Sequence, residues 1–197
     1  MTIRASVFIA ISLDGFIARL DGSLDWLTDP LPTENAAAGA SPAEASSKAD
    51  AEDYGYGEFI ATVDAIVMGK NTFLKVLTFP DWPYPDQRVI VLSTTLTAEG
   101  IPEILRDKVE LRSEPVGELG QSLANTGCRH LYVDGGQVIQ SFLQAGLIDQ
   151  ITLTQIPILI GTGIPLFGPL PQDCRLRHLK TRSFATGFVQ TTYQVMR

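Results

Sequence analysis

Three apolar runs in this chain end abruptly on residues that turn the backbone or bind ligands. AIVM at 65–68 runs into Gly69-Lys70-Asn71-Thr72, RVIVLST at 88–94 closes on Ser93-Thr94-Thr95, and LYV at 131–133 meets Asp134-Gly135-Gly136. A strand with one wet face alternates polar and apolar side chains. These runs do not alternate, so both of their faces must be covered, as in a parallel sheet. A β-branched run, IRASVFIAI at 3–11, ends on Ser12-Leu13-Asp14-Gly15 and supplies a further strand. Helical patterns fall between strands at 53–62, 102–108, 116–127 and 137–146. In the last of these, Val138, Ile139, Phe142 and Leu143 repeat at helical spacing and Gly146 suits the C′ position. Strands alternating with helices make an α/β domain.

The C-terminal third departs from that rhythm. QITLTQIPILI at 150–160 is long and β-rich, and 176–196 reads as two strands around the turn ATG at 185–187. Antiparallel strands therefore finish a mostly parallel mixed sheet. GTGIPLFG at 161–168 follows a strand with no helix after it, and reads as a β-edge loop rather than a dinucleotide fingerprint. One domain over 1–197 accounts for the whole pattern, with a loop insertion at about 29–51, rich in Pro, Ala, Ser and Gly, as either a lid or a disordered excursion.

Charge and composition exclude several classes. A net charge of -7 and no basic stripe argue against nucleic acid or an anionic membrane as partner. Cys128 and Cys174 show no CxxC or His/Cys ligand spacing, so no metal site is expected, and a reducing, cytoplasmic setting follows by default. GxxxxGK[ST] and GxSxG are both absent, and His130 and His178 leave few candidates for a histidine-based triad.

Open α/β sheets bind ligands beyond the carboxyl ends of their strands, so the strand exits are the candidate site. Bare N–H groups, short hydroxyls and one lysine are the mixture that phosphate recognition needs. Taken alone, Gly135-Gly136 fits either a phosphate contact or a tight turn that demands glycine φ angles.

In combination the exits resemble a known family. AxSLDGFIA at 10–18, DW at 25–26, VDAIVMGKNTF at 63–73, VIVLST at 89–94 and LYVDGGQVIQSFL at 131–143, followed by PILIGTGIPLF, are similar to the dihydrofolate-reductase-like superfamily. Within it the chain most resembles the C-terminal reductase domain of the bifunctional riboflavin-pathway deaminase-reductase and its stand-alone relatives. The resemblance implies a three-layer α/β/α sandwich, an NADPH-dependent reductase (NADH not excluded), a small-molecule substrate and a homodimer. It assigns Gly135, Gly136, Gln137, Val138 and Ile139 to the cofactor diphosphate, with a cis Gly-Gly bond. Gly69, Lys70, Asn71 and Thr72 fall to the other phosphates, and Leu92, Ser93 and Thr94 to the adenosine 2′-phosphate. Ala10 and Ile17 fall beside the nicotinamide. Lys70 stands where the family pattern has arginine, which keeps the charge and loses the two-pronged fork.

On the substrate side Ser12, Asp14, Tyr54 and Tyr56 are the candidate binding residues, the two tyrosines either stacking on a heterocycle or serving as half-buried packing, and the resemblance offers Asp53 and Trp26 as catalytic ones. Asp53, sixteen residues before Gly69, reads as a proton-delivering acid or as a helix-start residue. Trp26 reads as a loop tryptophan over the nicotinamide or as an apolar anchor, and Asp14 as a turn residue or a polar substrate contact. The implied reaction is hydride transfer to a pteridine- or ribosylaminopyrimidine-like heterocycle; a genuine dihydrofolate reductase and a non-catalytic nucleotide-binding or sensing module are the alternatives.

Overall fold

The computed structural model describes residues 3–28 and 52–197; the expected insertion at 29–51 lies outside the described residues. An eight-stranded sheet runs through the molecule in the order β5-β4-β3-β6-β1-β7-β10-β9. Its parallel part contains β1 (Arg4–Ser12), β3 (Ala65–Gly69), β4 (Arg88–Leu92), β5 (Val109–Arg112), β6 (His130–Asp134) and β7 (Gln150–Ile156). The hairpin of β9 (Leu176–Ser183) and β10 (Val189–Val195) adds antiparallel to β7. A separate two-stranded ribbon joins β2 (Phe16–Ala18) to β8 (Ile164–Pro165).

Period-two alternation divides each central strand between two cores. Ala65, Val67, Ile90, Leu131 and Val133 face α4 (Val116–Asn125) and α5 (Gly136–Gln144). Ile66, Met68, Val89, Val91 and Tyr132 face the other way, toward α2 (Tyr56–Ile60) and α3 (Lys70–Val76). Helices therefore cover both faces, which is the three-layer α/β/α arrangement, and the absence of alternation in the sequence has its cause here. Ile66, Val67, Val89, Ile90, Val91 and Leu131 are wholly buried.

The local differences have physical reasons. The helix expected over 102–108 is only a single 3-10 turn, Glu103–Leu105. Ile101 and Leu105 reach the core but Ile104 is 85% exposed, so the segment has no apolar stripe to hold a longer helix. Strand β5 follows it directly, unannounced because two of its four residues are charged. The helix expected over 53–62 begins only at Tyr56, because Tyr54 and Gly55 both adopt positive φ, 55° and 81°.

Candidate cofactor and substrate site

The glycine pair that opens α5 owes its residue type to sterics. Gly135 has φ 84° and ψ 134°, a conformation that L side chains avoid. A β-carbon there would lie 2.2 Å from Thr72 Oγ1. At Gly136 one would meet Ile17 Cδ1 at 3.1 Å and the Pro165 carbonyl at 3.2 Å, so the β2–β8 ribbon sits directly over the pair. The described peptide bonds are all trans, and the positive φ of Gly135 makes the reversal that the family resemblance assigned to a cis bond. Both glycines are buried, so the turn from β6 into α5 is closed by packing on the backbone itself. Gly69, at the neighbouring exit, is similarly close-packed: its β-carbon would touch Val138 Cγ2 at 3.4 Å.

Beside these glycines lies an open cleft of about 620 Å³. It gathers Gly69, Lys70, Asn71, Leu92, Ser93, Thr94, Gln137 and Val138 from three strand exits, together with Ser113–Val116 at the end of β5. Lys70 Nζ donates to Thr95 Oγ1 at 3.2 Å, which fixes the cation near the β4 exit. Ser93 Oγ accepts from the N–H groups of Thr95 (3.1 Å) and Leu96 (2.9 Å), leaving its own O–H free to donate. Ile139, assigned to the same group by sequence, does not join it. Its side chain is fully buried in the core and its N–H closes the first turn of α5 on Gly135 O at 2.9 Å.

The sheet itself parts next to the glycine pair. Parallel pairing of β1 with β6 stops at Ser6↔Tyr132, while β1 continues along β7 to Ser12↔Ile156 and β6 continues along β3 to Met68↔Asp134. Beyond that point β1 and β6 diverge, with Ala10 on one side and Asp134 on the other. Asp134 Oδ1 accepts the Gly135 N–H at 2.8 Å. The Tyr132 hydroxyl lies beside the same carboxyl and gives its one proton to Phe8 O at 2.9 Å. Burial pushes the Asp134 pKa up to about 6, against the lowering effect of the Gly135 N–H and the neighbouring Tyr132. The phenols of Tyr56 and Tyr84 are raised well above their ordinary value, first by burial and then by the Asp134 charge. Sequence reading recognised Asp134 as a strand-exit residue and gave it no role; the signal it carried was its place immediately before the glycines.

The residues assigned to substrate lie mostly elsewhere. Asp53 is exposed; its Oδ1 accepts from Gly55 N (2.8 Å) and its Oδ2 from Gly57 N (2.9 Å), and these bonds lower its pKa. That is the helix-start reading, since an exposed carboxylate held in its ionised form delivers no proton near neutrality. Tyr54 stacks on Phe188 and meets Phe184 edge to face, at centroid distances of 5.2 and 4.9 Å, in the C-terminal hairpin. Its carbonyl accepts from Gln190 Nε2 (2.9 Å) and Arg182 Nη2 (3.3 Å), so Tyr54 ties α2 to the hairpin. Tyr56 packs against Phe8, Phe59 and Tyr132.

Ser12 is fully buried and donates to Asp14 Oδ1 at 2.6 Å while accepting from Phe16 N at 3.0 Å. Asp14 Oδ2 accepts from Gly161 N at 2.7 Å, and the Ser12 hydroxyl is the main cause of its lowered pKa. This pair stitches the β1 turn to the loop after β7, which is the turn reading. Trp26, on α1 (Asp25–Thr28), is 2% exposed, and its indole N–H is buried with no partner among the described residues. Among the described residues no group of His, Cys, Asp or Glu could hold a metal ion, and no helix is long and apolar enough to cross a membrane.

Comparison with known proteins bears directly on this arrangement. YwjB of Bacillus subtilis (strain 168), an uncharacterized protein, is 32% identical over 185 residues, covering 92% of each chain. A solved structure from Shewanella sp. PV-4, assigned provisionally to riboflavin biosynthesis, shares 38% identity with a TM-score of 0.83 and covers 99% of this chain and 100% of that one. The fold is shared, at 14% identity and a TM-score of 0.70, with the Thermotoga maritima diaminohydroxyphosphoribosylaminopyrimidine deaminase/5-amino-6-(5-phosphoribosylamino)uracil reductase, of which this chain spans 57%. The model of the RibD C-terminal domain matches residues 5–190, and the chain belongs to that family.

Proposed function

We propose that this protein is a reductase that uses a reduced nicotinamide dinucleotide to reduce a small heterocycle of the pyrimidine class. One observation carries the reading: a strand-to-helix turn built on two glycines, with a cleft on one side and a gap in the sheet holding a protonatable carboxyl on the other. The residues fit such a cofactor. Gly135 and Gly136 let Thr72 and the β2–β8 ribbon close onto the backbone, and the N-terminus of α5 that they open favours negative charge beside the cleft. Lys70, Asn71, Ser93 and Thr94 supply a cation and polar groups within the same cleft. The bound cofactor supplies the hydride.

The chain's own residues do the rest. Ile17 over Gly136, with Ala10 at the gap, forms an apolar edge that holds a flat ring against the sheet. Asp134 is the proton-holding group, at Oδ2, the oxygen that the Gly135 N–H does not engage. With a pKa of about 6 it is partly protonated near neutrality, which suits proton delivery to a reduced C=N or C=C bond. A folate reductase of the kind the sequence suggested would draw on Asp53, and the exposure of that residue weighs against it.

The test is single-turnover oxidation of the reduced cofactor at 340 nm with a panel of ribosylaminopyrimidine and pterin substrates, followed across pH. The pyrimidine class is expected to react, with the rate falling as pH rises through about 6 as Asp134 loses its proton. Dihydrofolate as the sole substrate, or no oxidation by any compound, would contradict the reading.

A further inference from the structure

The cleft that takes the adenosine end carries a carboxylate as well as a cation. Glu114 lines it, on the segment between β5 and α4, opposite Ser93 and Thr94. The two exits are locked together, because the N–H of Ser93 donates to the carbonyl of Arg112 at 2.9 Å, two residues before Glu114. Among the described residues that line the cleft, Lys70 is the cation and Glu114 the carboxylate.

Arg112 is not free to receive a phosphate. Its Nε donates to Glu114 Oε1 at 2.7 Å and its Nη1 to Glu110 Oε1 at 2.6 Å, while Nη2 serves both Glu114 and, at 3.0 Å, Ser122 Oγ. Four of its five N–H groups are thereby engaged. Glu110 in turn holds Arg88 at 2.9 Å, so this cluster is electrically neutral. Arg112 also holds the Glu114 carboxyl well below its ordinary pKa, and Glu114 is ionised throughout the neutral range. A ribose bearing free 2′ and 3′ hydroxyls can donate to such a carboxylate. A ribose bearing a 2′-phosphate brings a dianion against it, in a cleft whose remaining charge is one lysine also needed by the diphosphate.

We propose that Glu114 is a specificity-determining residue that disfavours the 2′-phosphate and turns this cleft toward NADH. The inference rests on the dinucleotide reading of the cleft and departs from the NADPH preference that the family resemblance implies.

Isothermal titration of NADH, NADPH, 5′-ADP and 2′,5′-ADP into the wild type and Glu114→Gln tests it without recourse to turnover; Glu114→Ser serves if glutamine disturbs the Arg112 hydrogen bonds. The wild type is expected to bind NADH at least as tightly as NADPH. In Glu114→Gln, NADPH and 2′,5′-ADP should tighten roughly tenfold, the scale of one charge–charge contact largely screened by water, with NADH and 5′-ADP changed less than about twofold. A wild type that binds NADPH far more tightly than NADH would overturn the proposal. So would equal changes for all four ligands in the variant, which would make Glu114 a mere support for Arg112. If none of the four binds, the reductase reading fails and takes this inference with it; if both cofactors bind without the expected ratio, only the inference fails.

Discussion

Asp134 is the residue on which stability and function pull in opposite directions. Its folded pKa, about 6, lies above the ordinary 3.8. A group raised in this way contributes stability that is fully present below pH 3.8 and is lost as pH rises through 6. At pH 8 the buried charge therefore costs up to about 3 kcal/mol. Asp134→Asn is expected to stabilise the protein at pH 8 by about 1–3 kcal/mol, to bring little gain at pH 4, and to abolish most turnover. Urea denaturation at the two pH values, beside single-turnover rates, checks all three. At Gly135 the prediction is steric. Gly135→Ala places a methyl against Thr72 at positive φ and should cost at least 1–3 kcal/mol. Adding Thr72→Ala removes the collision but not the backbone strain, so the double variant should recover only part of the loss, as read by its urea midpoint. The residues that line the cleft were legible as a group because they sit within a few positions of a strand exit. Asp134 was in plain view, but its raised pKa comes from burial, and the phenols that feel its charge, Tyr56, Tyr84 and Tyr132, lie on separate parts of the chain.

Among the elements, α2 shows most clearly where sequence reading stops. Its start is set by Tyr54 at φ 55° and Gly55 at φ 81°, and by the Asp53 carboxylate bound to two N–H groups of the same turn. Counting back from Gly69 gave Asp53 a catalytic part, and a count cannot tell a carboxylate that points into a pocket from one that closes its own turn. Asp53→Asn is accordingly expected to lower the thermal midpoint by a few degrees while cofactor affinity and pH–rate profile stay unchanged; a lost acidic limb would restore the catalytic assignment. The parallel strands were legible for the opposite reason, since unbroken apolar runs have few other folds open to them. β5, with Glu110 and Arg112 among its four residues, and the short β2–β8 ribbon had no such pattern; their pairing is imposed by neighbouring strands. Gln190 is the cross-tie between elements, bonding Tyr54 O at 2.9 Å and Thr154 Oγ1 at 3.0 Å while buried. Gln190→Ala should free α2 from the hairpin, visible as faster hydrogen exchange at residues 56–60 before any global loss.

At the scale of the whole molecule, one rim of the sheet carries the cleft and the gap, and the opposite rim carries a purely structural network. His130 is buried there, with Nε2 at 2.9 Å from Ser6 Oγ and Nδ1 at 3.0 Å from Thr62 O. Burial lowers its pKa. Its neutral form therefore favours folding above the ordinary value of 6.5, and that contribution is lost as pH falls below it. His130→Gln should flatten the decline of thermal stability between pH 6.5 and 5. The hairpin end of the sheet is also asymmetric: β9 is exposed along nearly its whole length and shows Leu176 and Leu179 to solvent. An open edge of this kind invites pairing with a second copy, and the homodimer expected from the family resemblance would cover it. Sedimentation velocity at micromolar concentration is expected to give a dimer that Leu179→Lys dissociates.

The central claim is that the reduced dinucleotide lies across this one rim, its diphosphate over Gly135-Gly136 and its nicotinamide in the gap beside Asp134. A crystal structure of the complex with NADH tests it most directly. The account predicts the adenosine ribose within hydrogen-bonding distance of Glu114 and the nicotinamide ring between Ala10 and Asp134. A dinucleotide bound at any other place, or in the cleft with its nicotinamide turned away from the β1–β6 gap, would contradict it.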